Sequence, residues 1–227
     1  LDLLQKFGLG RIEGDTAATW HTFLDAFGLI AQPDHSNVFA VGFSLFNMIG
    51  QVITLAGVIL LSGFLSNIFG KRNVFLICLA LTAFFTALFF VVDSTNISMI
   101  FIINCLKSLA YAPTIPLLWA MMGDVADHSE WVNHRRATGF VFAGVVFALK
   151  AGLGIGGAIC GAIVDSFGFV SNTVQTENAI FGIRLTSSVI PAITFFVGVI
   201  ALFFYPISKK LNEHIQDDLA KRRLENN

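Results

Sequence analysis

Five apolar segments, each long enough to cross a bilayer, constrain this chain more than any other feature. They cover about residues 38–65, 74–92, 97–122, 138–164 and 182–205. A helix needs about 20 apolar residues to span the hydrocarbon core of a membrane. The mean hydropathy of +0.75 and the 13% of charged residues agree with this, since soluble domains carry about 25% charged residues. The sequence therefore predicts an all-α, multi-pass membrane protein.

Basic residues are unequally divided between the two sides of such a bundle. One side carries nine of them, namely Lys71, Arg72, Arg135, Arg136, Lys209, Lys210, Lys221, Arg222 and Arg223. The other side carries Lys6, Arg11 and Arg184. Cytoplasmic loops are enriched in Lys and Arg. We therefore expect the first side, with the tail of residues 206–227, to be cytoplasmic.

Residues 1–36 are too polar, and too often interrupted by Gly and Pro, to span a membrane. Trp20, Phe23, Leu24 and Phe27 recur in this segment at helical spacing. The spacing predicts a short amphipathic helix at the membrane interface, within an outward-facing loop. A lid over the outer surface is the alternative.

Acids and then bases occupy the connection between the third and fourth spans. We expect Asp124, Asp127 and Glu130 just after one helix, and Arg135 and Arg136 at the start of the next. Each charge meets the like end of a helix dipole, which is unfavourable. We therefore expect these charges to pair with each other or with another part of the protein. They are candidates for a cytoplasmic gate, or they serve only to set topology and fold the loop.

The sequence of this region resembles that of a known family. The pattern D-V-A-D-x-S-E-W, then R-R-A-T-G, then a lone Lys in a Gly-rich helix, is similar to the glycoside–pentoside–hexuronide:cation symporters. These melibiose-permease-like proteins are a branch of the major facilitator superfamily. The closing run FFYPISKKLNEHIQDDLAKRR is also similar to the tail of that family, so the resemblance extends from about Asn37 to the C-terminus.

The resemblance implies a fold and a function. The five spans would be helices eight to twelve, in the C-terminal half of a major facilitator fold, with the N-terminal half missing from this chain. The function would be symport of a sugar or glycoside with Na⁺ or H⁺ by alternating access, in the plasma (inner) membrane. No cofactor is implied beyond the coupling cation, whose site is expected in the missing half. The expected partners are the sugar, the lipid bilayer and the missing half, and not nucleic acid. A receptor or channel-like helix bundle is the alternative.

Enzyme chemistry has no support in the residues. Cys78, Cys105 and Cys160 each lie alone in an apolar run, and no His is spaced with acids or cysteines as metal ligands are. An intramembrane enzyme would need acids, His or Cys converging at one depth, so we expect no catalytic or metal site.

Two spans carry polar stripes, with residues three or four apart on one helix face. The first stripe is Ser44, Asn47, Gln51 and Thr54, and the second is Asn104, Lys107, Tyr111 and Thr114. Lipid cannot satisfy amide and ammonium groups, so each stripe should face another helix or a watery cavity. Interhelical hydrogen bonding and a substrate path are both consistent with this pattern.

Pro113 and Pro116 interrupt the third span near its middle and predict a kink there, because each removes a backbone hydrogen bond. Trp119 follows the kink. It is a candidate for stacking on a sugar ring, with a core or interfacial position as the alternative.

Lys150 lies deep inside the fourth span. A central Lys costs about 2.5–3.5 kcal/mol on insertion scales, so it usually faces the bundle interior and pairs with another group. The resemblance implies that Lys150 corresponds to a family lysine near the cation-binding acids of the first half. Snorkelling to water, or bonding to backbone carbonyls, is the alternative.

The run GLGIGG at residues 152–157 matches a dinucleotide fingerprint only by chance, because no strand precedes it. Gly152, Gly156, Gly157 and Gly161 instead form small-xxx-small pairs, which predict close packing between helices.

Overall fold

The computed structural model describes residues 37–93, 95–171 and 173–225. Within these ranges the chain is helical, without strands. The predicted amphipathic helix of residues 1–36 lies outside the described residues. The helices are α1 (Val38–Phe69), α2 (Lys71–Val91), α3 (Ile97–Tyr111), α4 (Thr114–Asn133), α5 (Thr138–Ser166), α6 (Glu177–Arg184), α7 (Ile190–Phe203) and α8 (Lys209–Glu225).

Five stretches of the described residues are long and apolar enough to span a membrane. They are α1, α2, the pair α3–α4, α5, and the stretch from α6 to α7. The predicted all-α fold with five spans is therefore confirmed.

The chain divides into two compact units, Leu1–Ile53 and Thr54–Asn227. The described part of the first unit is the beginning of α1, where the Phe39 and Phe43 rings stack with centroids 6.4 Å apart. The second unit contains the rest of α1 and every later helix.

Helix α2 forms the centre of the second unit. Its buried residues follow one stripe, and α3, α4 and α7 pack against it. Val74, Cys78, Thr82 and Thr86 are spaced by four, which places them on one face. The hydroxyls of Thr82 and Thr86 donate to the carbonyls four residues earlier, at 2.8 and 2.7 Å. These polar groups are thus satisfied within the helix and can be buried in an apolar core.

The third span breaks where the prolines predict. Helix α3 ends at Tyr111 and α4 begins at Thr114, so Ala112 and Pro113 form the break. The Thr114 hydroxyl donates to the Tyr111 carbonyl at 2.6 Å. Pro116 lies in the first turn of α4, where a missing N–H costs nothing.

The last span contains a π-helical turn, Leu185–Val189, between α6 and α7. Just before it, the Arg184 guanidinium donates to the carbonyls of Phe90 (2.6 Å) and Val92 (3.1 Å). A cation at the C-terminus of α2 complements the helix dipole there. Arg184 therefore joins the last span to the end of α2.

Two predicted boundaries are wrong. Helix α4 continues to Asn133, so Asp124, Asp127 and Glu130 lie in its second half and not in a loop. Only Gly70, at φ 81°, separates α1 from α2, where a longer connection was expected. The predicted tail, residues 206–227, contains α8. The acids remain helical because they have cationic partners, which outweigh a dipole effect of about 0.3–1 kcal/mol per charge.

Candidate functional site

One end of the second unit gathers most of its charged side chains. We call it the charged end; it consists of residues 66–73, 121–138 and 203–225. Its most enclosed carboxylate belongs to Asp124, whose side chain is 9% exposed. Lys71 Nζ lies 2.7 and 2.9 Å from the two Asp124 oxygens. This pair joins the start of α2 to the middle of α4.

Asp127 and Glu130 share Arg136, which lies in the linker before α5. Arg136 Nη2 is 3.2 Å from Asp127 Oδ1, an ion pair without hydrogen-bond alignment, and Nη1 is 3.7 Å from Glu130 Oε2. Helix α8 completes the group: the Gln216 amide donates to Asp127 Oδ2 at 2.7 Å, and Arg223 lies 3.3 Å from Glu130. The expected pairing is therefore confirmed for Asp124, Asp127, Glu130 and Arg136.

Arg135 differs from the other four predicted gate residues. Its side chain is exposed, and no carboxylate of the described residues pairs with it. Its carbonyl accepts a hydrogen bond from the Ser129 hydroxyl at 3.4 Å. The structure thus brings Asp124, Asp127, Glu130 and Arg136 into paired contacts and leaves Arg135 outside them.

Helix α8 docks on the end of α4 through Trp131. The indole N–H donates to Asp218 Oδ2 at 3.1 Å, and Arg222 donates to the Trp131 carbonyl at 3.2 Å. The hydrogen bond from Trp131 lowers the pKa of the Asp218 carboxyl, with help from the nearby charges of His214, Lys221 and Arg222.

The sequence analysis did not predict that α8 docks on α4, nor that Lys71 pairs with an acid. The sequence signal for the docking was the pair Ile215 and Leu219, which are apolar, four residues apart in a polar segment, and both buried in the structure.

The second predicted stripe packs against neighbouring helices. Asn104 is 3% exposed. Lys107 Nζ lies 5.4 Å from the centre of the Phe89 ring of α2, a cation–π contact. The Tyr111 ring lies 6.3 Å from that of Phe195 in α7. These contacts are interhelical.

The remaining candidates in the first and third spans are Trp119 and the residues of the first stripe. The Trp119 side chain stacks on Phe142 of α5, with ring centres 6.1 Å apart and planes at 13°, and the residue remains 40% exposed. In the first unit, Asn47 and Gln51 are exposed, and the Asn47 amide donates to the Phe43 carbonyl at 2.9 Å.

Helix α5 is the least covered of the spans, with no buried residue. Lys150 is exposed, and no hydrogen bond or ion pair joins it to another described residue. A Cβ atom added at Gly152, Gly156, Gly157 or Gly161 would meet nothing within 4 Å. The close packing that these glycines predict is therefore not made within the described chain.

A metal centre is not supported in the part of the chain that the structure describes, since no three His, Cys, Asp or Glu side chains form a suitable group there.

Comparison with known proteins agrees with this architecture. The family model described as MFS/sugar transport protein matches residues 36–209. The glucuronide carrier protein homolog of Escherichia coli (strain K12) is 28% identical over 177 residues, 78% of this chain and 38% of that protein. The putative glycoside/cation symporter YagG of the same organism is 31% identical over 179 residues, covering 78% and 39%. The inner membrane symporter YicJ is 35% identical over 144 residues, covering 60% and 30%.

The chain thus spans about two fifths of the length of the first two relatives. The family model covers most of the chain, and the relatives' names fit the glycoside–pentoside–hexuronide:cation symporters that the motifs of residues 124–150 resemble. With five spans and no strand in the described residues, this chain belongs to the MFS/sugar transport protein family of the major facilitator superfamily.

Proposed function

We propose that this chain is the C-terminal half of a transporter that couples uptake of a sugar or glycoside to Na⁺ or H⁺ by alternating access. The family match over residues 36–209 carries this proposal. Relatives named as a glycoside/cation symporter and an isoprimeverose transporter agree with it. The whole activity needs the remaining part of the protein, because a major facilitator site lies between two halves.

Helix α5 is our proposed contact with that remaining part. It has no buried residue in the described chain, and its glycines leave room for a second helix to approach closely. Lys150 lies on this helix, and the described residues offer it no carboxylate. An ammonium group at that depth is stabilised by an acid, so we propose that an Asp of the first half pairs with Lys150 near the cation site.

The sugar path is proposed to include the open polar and aromatic side chains. Asn47, Gln51 and Trp119 are exposed and can contact a substrate. Asn104 and Lys107 were predicted with them, but Asn104 is buried and Lys107 contacts Phe89 of α2. We propose that these two hold the helices beside the path in place. Tyr111, also predicted, contacts Phe195 but is 39% exposed, so we propose that it lines the path with Trp119.

We propose that the charged end faces the cytoplasm and lies at the cytoplasmic leaflet of the membrane. The excess of Lys and Arg at this end favours that orientation. Its ion pairs would then help to hold the cytoplasmic side closed in the outward-open state. Exposed pairs contribute only about 0–1 kcal/mol each, so a gate must come from the whole network.

The decisive test uses the full-length protein with Lys150→Leu and Lys150→Arg. The matched arginine variant keeps the charge. We expect Lys150→Leu to reach normal membrane abundance and to lose cation-driven accumulation of a glycoside, with Lys150→Arg retaining more of it. Intact accumulation in Lys150→Leu would overturn the role of Lys150. A wild-type protein that accumulates no glycoside under any cation gradient would overturn the transport function itself.

A further inference from the structure

A cavity of about 310 Å³ opens at the charged end. Its lining includes the cations Lys71, Arg72 and Lys209, and the apolar side chains of Met121 and Ile207. The cavity thus combines positive charge with apolar side chains.

Two helices begin at this cavity. Helix α2 starts at Lys71 and α8 starts at Lys209, and a Cβ atom added to Gly70 would lie 3.1 Å from Lys209 Cβ. Gly70 provides no side chain to cap α2. The first N–H groups of a helix lack intrahelical acceptors, and its N-terminus attracts anions. Both helix starts therefore add positive potential to the cavity, although the Ser208 hydroxyl already accepts from the Leu211 N–H of α8 at 3.3 Å.

The cations of the cavity are not all neutralised. Lys71 is paired with Asp124. Arg72 and Lys209 instead donate to main-chain carbonyls, of Phe203 at 3.0 Å and of Asn67 at 2.6 Å. Among the described residues, neither has an ion-paired carboxylate. Glu213 also lines the cavity, so three positive charges face two negative ones.

Asn212 adds a second indication. Its Oδ1 atom is buried and has no hydrogen-bond donor among the described residues. Exchanging the two amide atoms by a rotation of the side chain would put the NH₂ group in that position. A bound acceptor, such as a phosphate oxygen, would then satisfy it.

We infer that this cavity binds an anionic phosphate group, held by Arg72, Lys209 and the starts of α2 and α8. The phosphate can belong to the headgroup of an anionic lipid, with acyl chains against Met121 and Ile207, or to a free phosphate ion. Basic pockets between membrane helices bind lipid phosphates in this way. The site lies at the charged end, beside the Lys71–Asp124 pair, and its binding of phosphate does not depend on the proposed transport of a sugar.

The test compares full-length wild-type protein with the double variant Arg72→Gln/Lys209→Gln. The control, Lys210→Gln/Lys221→Gln, removes the same charge from α8 outside the cavity. Each protein is placed in phosphatidylcholine bilayers, in equal parts of phosphatidylcholine and phosphatidylglycerol, and in phosphatidylcholine with inorganic phosphate. Thermal unfolding and native mass spectrometry then report stabilisation and bound molecules.

We expect phosphatidylglycerol to stabilise the wild type and the control. It should bind the double variant at least about tenfold more weakly than it binds the wild type. Stabilisation by inorganic phosphate that the double variant loses would identify the ion as the ligand. Equal responses of wild type and double variant, or no response of the wild type to either phosphate, would overturn the site. If the double variant does not fold, Arg72→Gln alone undergoes the same comparison.

Discussion

Lys71 and Asp124, which are 53 residues apart in the sequence, form a two-oxygen ion pair at 2.7 and 2.9 Å between α2 and α4. The pair is asymmetric, because the Lys71 side chain is 35% exposed and that of Asp124 only 9%. Removing either partner leaves the other charge in a different environment, and this asymmetry can be measured.

We expect Lys71→Gln to destabilise the protein more than Asp124→Asn does. The first change leaves a nearly buried carboxylate without a partner, which costs about 1–3 kcal/mol of stability. The second change leaves an ammonium group that reaches water. Unfolding in detergent by denaturant measures both. A double variant Lys71→Gln/Asp124→Asn that is less damaged than Lys71→Gln would show the coupling directly. The opposite order of the single variants would contradict this account.

Reversing Arg136 to Glu should open the proposed cytoplasmic gate, because Arg136 is shared by Asp127 and Glu130. In the full-length protein, cysteines introduced on the cytoplasmic side should become more accessible to thiol reagents. Arg135→Glu is the matched control, since Arg135 has no carboxylate partner among the described residues, and it should change labelling little. Equal effects of the two reversals would indicate that the change in net charge alone alters the labelling, and would contradict the gate.

The docking of α8 should weaken at low pH through Asp218. The folded-state pKa of this carboxyl is lowered, so its contribution is present above the unfolded-state pKa and is lost as pH falls through the folded value. Wild-type protein should therefore lose more stability between about pH 5 and pH 3 than Asp218→Asn does. Trp131→Phe removes the N–H donor and should weaken the dependence of stability on pH to a similar extent. Parallel pH profiles for all three proteins would rule out this role of Asp218.

Gly57 should tolerate no larger residue. A Cβ atom there would lie 2.6 Å from Ala112 Cβ, at the break between α3 and α4. We expect Gly57→Ala to destabilise the protein by about 1–3 kcal/mol, as overpacking does. Gly63→Ala, on the same helix with nothing within 4 Å, should be neutral or stabilising. The difference in thermal unfolding temperature between the two variants is the measurement, and its absence would refute the close contact.

Single cysteines can test the proposed sugar path. In a background lacking Cys78, Cys105 and Cys160, cysteines at Asn47 and Gln51 should react with a water-soluble thiol reagent. Substrate should protect at least one of them. A cysteine at Asn104 or Leu45 should remain unreactive, because both positions are buried. Reaction at all four positions, or protection at none, would remove the support for this path.

The sequence alone determined the features that depend on local chemistry. Apolar length set the five spans, because a bilayer requires about 20 apolar residues per helix. Pro113 set the break in the third span, because it has no N–H group and clashes with the preceding turn. The motif around Asp124 and Arg136 identified the family, and the sign of its charges indicated that they must be paired.

Only the tertiary structure decided which groups those charges meet. Asp124 pairs with Lys71, and Glu130 with Arg223, which lies 93 residues away. These contacts keep the end of α4 helical where local charge alone predicts a loop. Helical periodicity put Lys107 and Tyr111 on one face, but only the packing of α2 and α7 showed that aromatic side chains contact it. Periodicity defines a face of a helix, whereas its neighbour depends on how distant segments pack.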